Sequence, residues 1–125
     1  MMTDDLDALL QRLARQRFRA RFHLRGRELE TARTRGHDTM RRHAAELIER
    51  RLAPAEPTND GRQTPYRGHP VFVAQHATAT CCRTCLHRWH GIPPGRALDG
   101  AERARVVEAI CRWIERECGR AGTAG

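Results

Sequence analysis

The chain has 125 residues, of which 39% are hydrophobic and 30% are charged, and its net charge is +8. This length suits one hydrophobic core and is too short for two domains, and the composition is typical of a soluble globular protein rather than a disordered one. No apolar run approaches the roughly 20 residues that span a bilayer, so we expect no membrane partner.

Apolar residues recur at helical spacing along most of the chain and predict a series of helices. The first, over residues 4–18, has a stripe of leucines and an acidic start that suits the helix dipole. The last begins at a capping box formed by Asp99 and Glu102 and ends at Gly119. Between these two we predict helices over residues 26–35, 39–52, 70–77 and 81–90.

A loop over residues 53–68 interrupts this helical pattern. It contains three prolines and an Asn-Asp-Gly turn signal. Dense turn residues favour a single conformation, so we expect an ordered loop whose polar side chains form the rim of a pocket over the next segment. The sequence therefore predicts an all-α, single compact domain of five or six helices over residues 1–119, with a frayed tail at residues 120–125. The expected rim residues are Asn59, Asp60, Arg62, Gln63, Tyr66 and Arg67.

Residues 68–95, GHPVFVAQHATATCCRTCLHRWHGIPPG, concentrate the metal-ligating side chains: they hold three of the five cysteines and four of the seven histidines. Borderline metals prefer thiolate and imidazole ligands, and the C-x2-C spacing of Cys82 and Cys85 is typical of structural zinc sites. We therefore predict a bound zinc ion. Its predicted ligands are His76, Cys82, Cys85 and His90, with Cys81, His69 or Cys111 as alternatives for the fourth position.

The same segment also suits nucleophilic catalysis. Cys81 and Cys82 fall in the first turn of a predicted helix, where free backbone N–H groups favour a thiolate. A histidine such as His69 would complete a nucleophile–base pair. The alternative function is thus a metal- or cysteine-dependent enzyme with Cys81, Cys82 and His69 as catalytic residues, or a redox-active dithiol. A structural interpretation also stands, in which the cysteines are small buried hydrophobes.

The basic residues are all arginines, and thirteen of them lie in residues 11–51 against five acids. Either bidentate phosphate binding or the codon bias of a genome rich in G and C produces such a content. Arginines interleaved with Phe18 and Phe22 would follow a phosphate backbone while the rings stack on bases. A solvated basic face with both phenylalanines in the core is the alternative. The candidate nucleic-acid contacts are Arg15, Arg19, Arg21 and Arg25.

The pattern HPVF-AQHATATCC-x2-CL-x2-WH-x-IP-x-G extends well beyond one motif. Together with the stretches RFHLRGRE and RLAPAEPTNDGRQ, it resembles a small, mainly bacterial family of domains of unknown function, number four-one-eight-six, over residues 16–117. The resemblance implies one compact domain without a partner domain and brings no established activity. The residues that match the family pattern are His69, Gln75, His76, Cys81, Cys82, Cys85, Trp89 and His90.

The sequence therefore favours a small zinc-binding helical domain that binds nucleic acid or another anionic partner over an enzyme. Five cysteines cannot all pair within one chain, so reduced thiols or metal ligands are expected. The N-terminal stretch is acidic where a signal peptide is basic, and we expect a cytoplasmic protein.

Overall fold

The computed structural model describes the backbone of residues 2–124 and the side chains of residues 5–120. This part of the chain contains helices and no strand, which confirms the all-α prediction of a single compact domain. None of the described helices is long and apolar enough to cross a membrane. The elements are α1 (Met2–Arg15), a 3₁₀ turn η1 (Arg19–Arg21), α2 (Gly26–Arg35), α3 (His37–Arg51), α4 (Pro70–Ala77), α5 (Arg83–His90) and α6 (Gly100–Ala124).

The main core lies where α3 and α4 pack on α6, with α3 and α6 forming the most extensive helix–helix interface. Val106, Ile110 and Ile114 recur every four residues and are buried along one face of α6. This spacing places them on one stripe, so the sequence pattern directly specifies the packed face. Their neighbours in the core include Met40, Ala44, Ile48, Leu52, Val71, Leu86 and Leu98.

Helix α1 forms a second, smaller apolar cluster. Its leucine stripe packs against Ala79 and Ala109, and the half-buried side chains of Cys85 and Trp89 lie against the same cluster. The Asp7 carboxylate accepts hydrogen bonds at 3.2 Å from Arg112 and from Arg116, which ties α1 to α6. Helix α1 therefore covers the side of the molecule on which the cysteine segment lies. The stripe consists of Leu6, Leu9, Leu10 and Leu13.

The predictions for the two ends of α6 have different outcomes. The predicted capping box is confirmed, because the Glu102 N–H donates to Asp99 Oδ1 at 2.8 Å and the Asp99 N–H donates to Glu102 Oε1 at 3.0 Å. The predicted end at Gly119 is wrong, since the helical backbone continues to Ala124. Side chains beyond residue 120 lie outside the described part, so the fraying of residues 120–125 stays a prediction.

The long loop, residues 52–69, is fastened by a fully buried arginine. The Arg83 side chain is 0% exposed, and its guanidinium donates to the carbonyls of Pro54 at 2.7 Å and Arg96 at 2.8 Å. It also donates to the carbonyls of Leu52 and Pro93. One buried cation thus joins the start of the long loop to the segment that follows α5.

Candidate metal centre

Three thiols converge at the start of α5. The Sγ atoms of Cys81, Cys82 and Cys85 all lie within 4.8 Å of one another, with Cys81 and Cys82 buried and Cys85 half-buried. Cys82 is the N-cap of α5, and its sulfur accepts the Cys85 N–H at 3.4 Å. A tetrahedral ion with Zn–S bonds of about 2.3 Å requires sulfurs about 3.8 Å apart, so the donor set fits such an ion.

A left-handed residue brings Cys81 into this group. Ala79 is fully buried with φ of +59°, a conformation that costs free energy for a residue with a Cβ. It turns the chain sharply between α4 and Cys81. The turn is held because the Gln75 side chain donates to the Thr80 carbonyl at 2.9 Å and the Thr64 hydroxyl donates to the Cys81 carbonyl at 2.7 Å.

Arg19 places a positive charge against the sulfurs. Its side chain is only 7% exposed, and Nη2 donates to Cys85 Sγ at 3.0 Å while Nη1 contacts Cys81 Sγ at 3.6 Å. Nη1 also donates to the His76 carbonyl at 2.7 Å. Burial removes Arg19 from the exposed surface on which a nucleic-acid contact would depend. Nothing in the sequence indicates this burial, because Arg19 is one of several arginines at alternate positions.

The charge of the cluster is concentrated on Cys85. A hydrogen bond from the Cys81 thiol, with further ones from Arg19 and Cys82, lowers the pKa of Cys85 to about 5 although burial opposes the shift. The same bond to Cys85, together with burial, raises the pKa of Cys81, and burial raises the pKa of Cys82. These shifts oppose the expected thiolate at Cys81 or Cys82 and favour one at Cys85. Helix α5 begins only at Arg83, and the guanidinium of Arg19 faces Cys85.

Two predicted histidine ligands lie in the same region but outside the three-thiol group. His76 Nε2 donates to the Thr64 carbonyl at 3.1 Å and His90 Nε2 donates to the Thr78 carbonyl at 2.8 Å. Burial lowers the pKa of both rings, so both are neutral near pH 7 and only their Nδ1 atoms retain a lone pair. Of the four predicted ligands, the structure thus brings together Cys82 and Cys85, and Cys81 joins them.

The remaining candidate residues have other partners. His69 caps α4, where its Nδ1 accepts the Val71 N–H at 3.0 Å, and its Nε2 lies 2.9 Å from His43 Nδ1. The predicted pairing of His69 as a base with Cys81 or Cys82 therefore has no support among the contacts of the ring. Cys111 is buried in the main core on α6.

The loop residues only partly follow the expectation of a rim over the cluster. Asp60 accepts the Arg83 N–H at 3.0 Å at the start of α5, and the Tyr66 ring stacks on His76 at 4.2 Å. Three of the other expected rim residues line a separate cleft. Asn59, Arg62 and Gln63, with Arg50, Arg51 and Thr58, line a surface cleft of about 270 Å³ that includes none of the three cysteines.

Comparison with known families gives a match over most of the chain. A model described as Domain of unknown function (DUF4186) matches residues 7–115. The chain belongs to this family. The predicted resemblance is confirmed, and the match spans every element from α1 into α6, including the three-thiol group. No solved structure matches the chain.

In this family member the other arginine candidates are placed differently from Arg19. Arg15, Arg21 and Arg25 are exposed, and within the described part of the chain none of them forms an ion pair. Arg15 ends α1, Arg21 ends η1, and Arg25 precedes α2. Three of the four predicted contact residues are therefore available to an anionic partner.

Proposed function

We propose that the chain is a zinc-binding helical domain in which Cys81, Cys82 and Cys85 hold the ion. The observation that carries this proposal is the convergence of three sulfurs within 4.8 Å. Thiolates select soft and borderline metals, and zinc is the usual ion where such ligands stabilise a small fold. When bound, zinc would link the long loop, the turn at Ala79 and the start of α5 through one centre.

The charges around the sulfurs support a bound cation. Three thiolates and one divalent ion carry a net charge of −1, which the Arg19 guanidinium beside Cys85 offsets. Without the ion, Cys81 and Cys82 retain their protons because their pKa values are raised. Metal binding would displace these protons, so we expect the affinity for zinc to fall as the pH decreases.

The fourth position decides between a structural and a reactive centre. Our candidate for it is His76, because its Nδ1 keeps a lone pair and because Arg19 bonds both its main-chain carbonyl and the Cys85 sulfur. A fourth protein ligand would make a closed structural site. Water in that position would leave the site open and would favour the alternative of a metal-dependent enzyme.

Elemental analysis of protein purified without chelator tests the metal proposal. We expect about one zinc per chain in the wild type, loss of most of it in Cys82→Ser, and full retention in Cys118→Ser. Cys118 is a matched control because it is a half-buried cysteine on α6, outside the three-thiol group. Less than about 0.2 metal per wild-type chain, with five thiols titrating freely, would contradict the proposal.

We further propose that the exposed arginines bind an anionic partner such as nucleic acid. Support comes from the exposure of Arg15, Arg21 and Arg25 and from the lack of ion pairs for them in the described part of the chain. Each phosphate that these side chains neutralise releases a counterion, so binding should weaken steeply with salt. The triple change of these residues to Gln should abolish salt-dependent retention on DNA or RNA columns at about 50 mM salt, whereas Arg33→Gln, a more distant change on α2, should not.

A further inference from the structure

We infer that a surface built from three nearly parallel rings, Phe22, Tyr66 and His76, and from the Phe18 ring beside them binds the bases of a single-stranded nucleic acid, with the exposed Tyr66 and Phe18 meeting the bases. This inference rests on the proposed binding of an anionic partner and names its class. We use "ring surface" below for these four residues. The sequence pattern indicated only that Phe18 and Phe22 lie among arginines.

The ring surface is assembled from three separate parts of the chain. The Tyr66 and His76 rings are 4.2 Å apart with an angle of 11° between their planes, and Phe22 and His76 are 5.4 Å apart at 17°. Phe22 and Tyr66 are 6.2 Å apart at 10°, so these three rings are nearly parallel. Phe18 packs edge-on against Phe22 at 5.3 Å. Parallel ring faces of this kind are the platform on which bases stack.

Both large hydrophobic side chains that are exposed in the described part of the chain belong to this surface. Tyr66 is 61% exposed and Phe18 is 38% exposed, while the partly buried Phe22 and the buried His76 lie beneath. Large aromatic rings normally bury most of their area, so two exposed rings on one patch suggest a ligand-binding surface.

Tyr66 is held in place although it lies on a loop. Two residues before it, the Thr64 hydroxyl donates to the Cys81 carbonyl at 2.7 Å. Two residues after it, the Gly68 N–H donates to Glu28 Oε2 at 2.9 Å. The loop is therefore fixed on both sides of the ring, and little conformational entropy would be lost when a base stacks on Tyr66.

Exposed arginines that neighbour the rings in the sequence favour a phosphate backbone over a neutral ligand. Arg17 and Arg21 immediately precede Phe18 and Phe22, and Arg67 immediately follows Tyr66. All three arginines are exposed, and none forms an ion pair with another described residue. Rings for bases and free guanidinium groups for phosphates together suit a single strand, because the bases of a duplex are already stacked on one another.

Arg19 connects the ring surface to the three thiols. Its guanidinium lies 5.1 Å from the Phe18 ring centre and bonds both the His76 carbonyl and Cys85 Sγ. The thiol group therefore helps to position the rings without being part of the surface that a base would touch.

Fluorescence anisotropy with a labelled strand of about 12 nucleotides, either oligo-dT or oligo-U, tests the inference at about 50 mM salt. Tyr66→Ala should weaken binding at least about fivefold, because it removes one stacking face, whereas Tyr66→Phe keeps the ring and should bind within about twofold of the wild type. Tyr66 is mostly exposed, so neither variant should disturb the fold. Phe72→Ala, which removes a ring on α4 outside the ring surface, is the matched control and should bind as the wild type does.

Competition identifies the partner class. Unlabelled single strand should displace the probe, while a duplex of the same length and polyglutamate should compete at least about tenfold less well. Equal or better competition by the duplex or by polyglutamate would overturn the inference in favour of that partner, and wild-type affinity in Tyr66→Ala would overturn it as well. Zinc content measured on the same samples tests the metal site separately from the ring surface. Zinc-replete protein that binds no strand would contradict the ring-surface inference and leave the metal site standing. Tyr66-dependent binding by protein that never holds zinc would contradict the metal site and leave the ring surface standing.

Discussion

The α3–α6 core and the region around the three thiols are stabilised in different ways. The core consists of apolar side chains such as Ile48 and Ile110 packed along two helices. The thiol region instead buries polar side chains that are hydrogen-bonded to backbone carbonyls, among them Thr64, Gln75 and Arg83. Apolar packing tolerates small losses, whereas a buried polar group without its partner costs its full desolvation free energy. The thiol region should therefore respond far more strongly to single conservative changes.

The largest effect is expected at Arg83. Arg83→Met should lower the free energy of unfolding by about 3–5 kcal/mol, because it leaves the carbonyls of four residues without a buried donor. Urea denaturation followed by circular dichroism measures this change. Arg88→Met, an exposed arginine on the same helix, is the control and should change stability by less than about 0.5 kcal/mol. Equal effects of the two variants would contradict the account of the loop.

A pair of near-isosteric changes compares the two regions directly. Thr64→Val keeps the side-chain shape but removes the hydroxyl that bonds the Cys81 carbonyl, and should cost about 1–3 kcal/mol. Ile110→Val removes one methylene from the fully buried core and should cost about 0.5–1.5 kcal/mol. Thermal unfolding of both variants in the same buffer shows which of the two changes costs more stability. A larger loss of stability in Ile110→Val than in Thr64→Val would contradict the proposed difference between the two regions.

Particular residues show why the sequence predicted the α3–α6 core better than the region around the three thiols. Ile110 and Ile114 lie one helical turn apart, and Asp99 caps the helix three residues before Glu102, so α6 follows from local spacing. The C-x2-C spacing likewise predicted that Cys82 and Cys85 lie together. Cys81 joins them through a left-handed turn at an alanine, which no residue preference signals.

Contacts between distant parts of the chain were beyond sequence reasoning. Arg19 reaches a sulfur 66 positions away, and nothing separates it from the exposed arginines around it in sequence. The sequence around Asp60 indicates only a turn, yet the Asp60 carboxylate accepts a hydrogen bond from the Arg83 N–H. Helical spacing and turn signals describe neighbours along the chain, whereas these partners are set by how the loop and η1 pack in three dimensions.

The prediction with the smallest expected effect on stability concerns the charge on the Cys85 sulfur. In metal-free protein, alkylation of Cys85 should reach its plateau just above its pKa of about 5, since the thiolate is the nucleophile. Cys118, whose pKa is raised by burial, should still react faster with each rise in pH above 8. Peptide mapping of iodoacetamide adducts between about pH 4 and 10 gives both profiles.

Arg19→Gln supplies the control for this assignment. It should move the Cys85 midpoint upward, because a cation that favours the thiolate is lost. The Cys118 profile should not change. A Cys85 midpoint near that of an ordinary thiol in the wild type would show that the sulfur carries no stabilised charge.

We propose that three cysteines, rather than two cysteines and two histidines, form the metal centre. X-ray absorption at the zinc edge of the wild-type protein counts the sulfur neighbours directly. Our account predicts three sulfurs at about 2.3 Å and one nitrogen or oxygen at about 2.0 Å. Two sulfurs with two imidazole nitrogens would contradict it and would instead support Cys82, Cys85, His76 and His90 as the ligands.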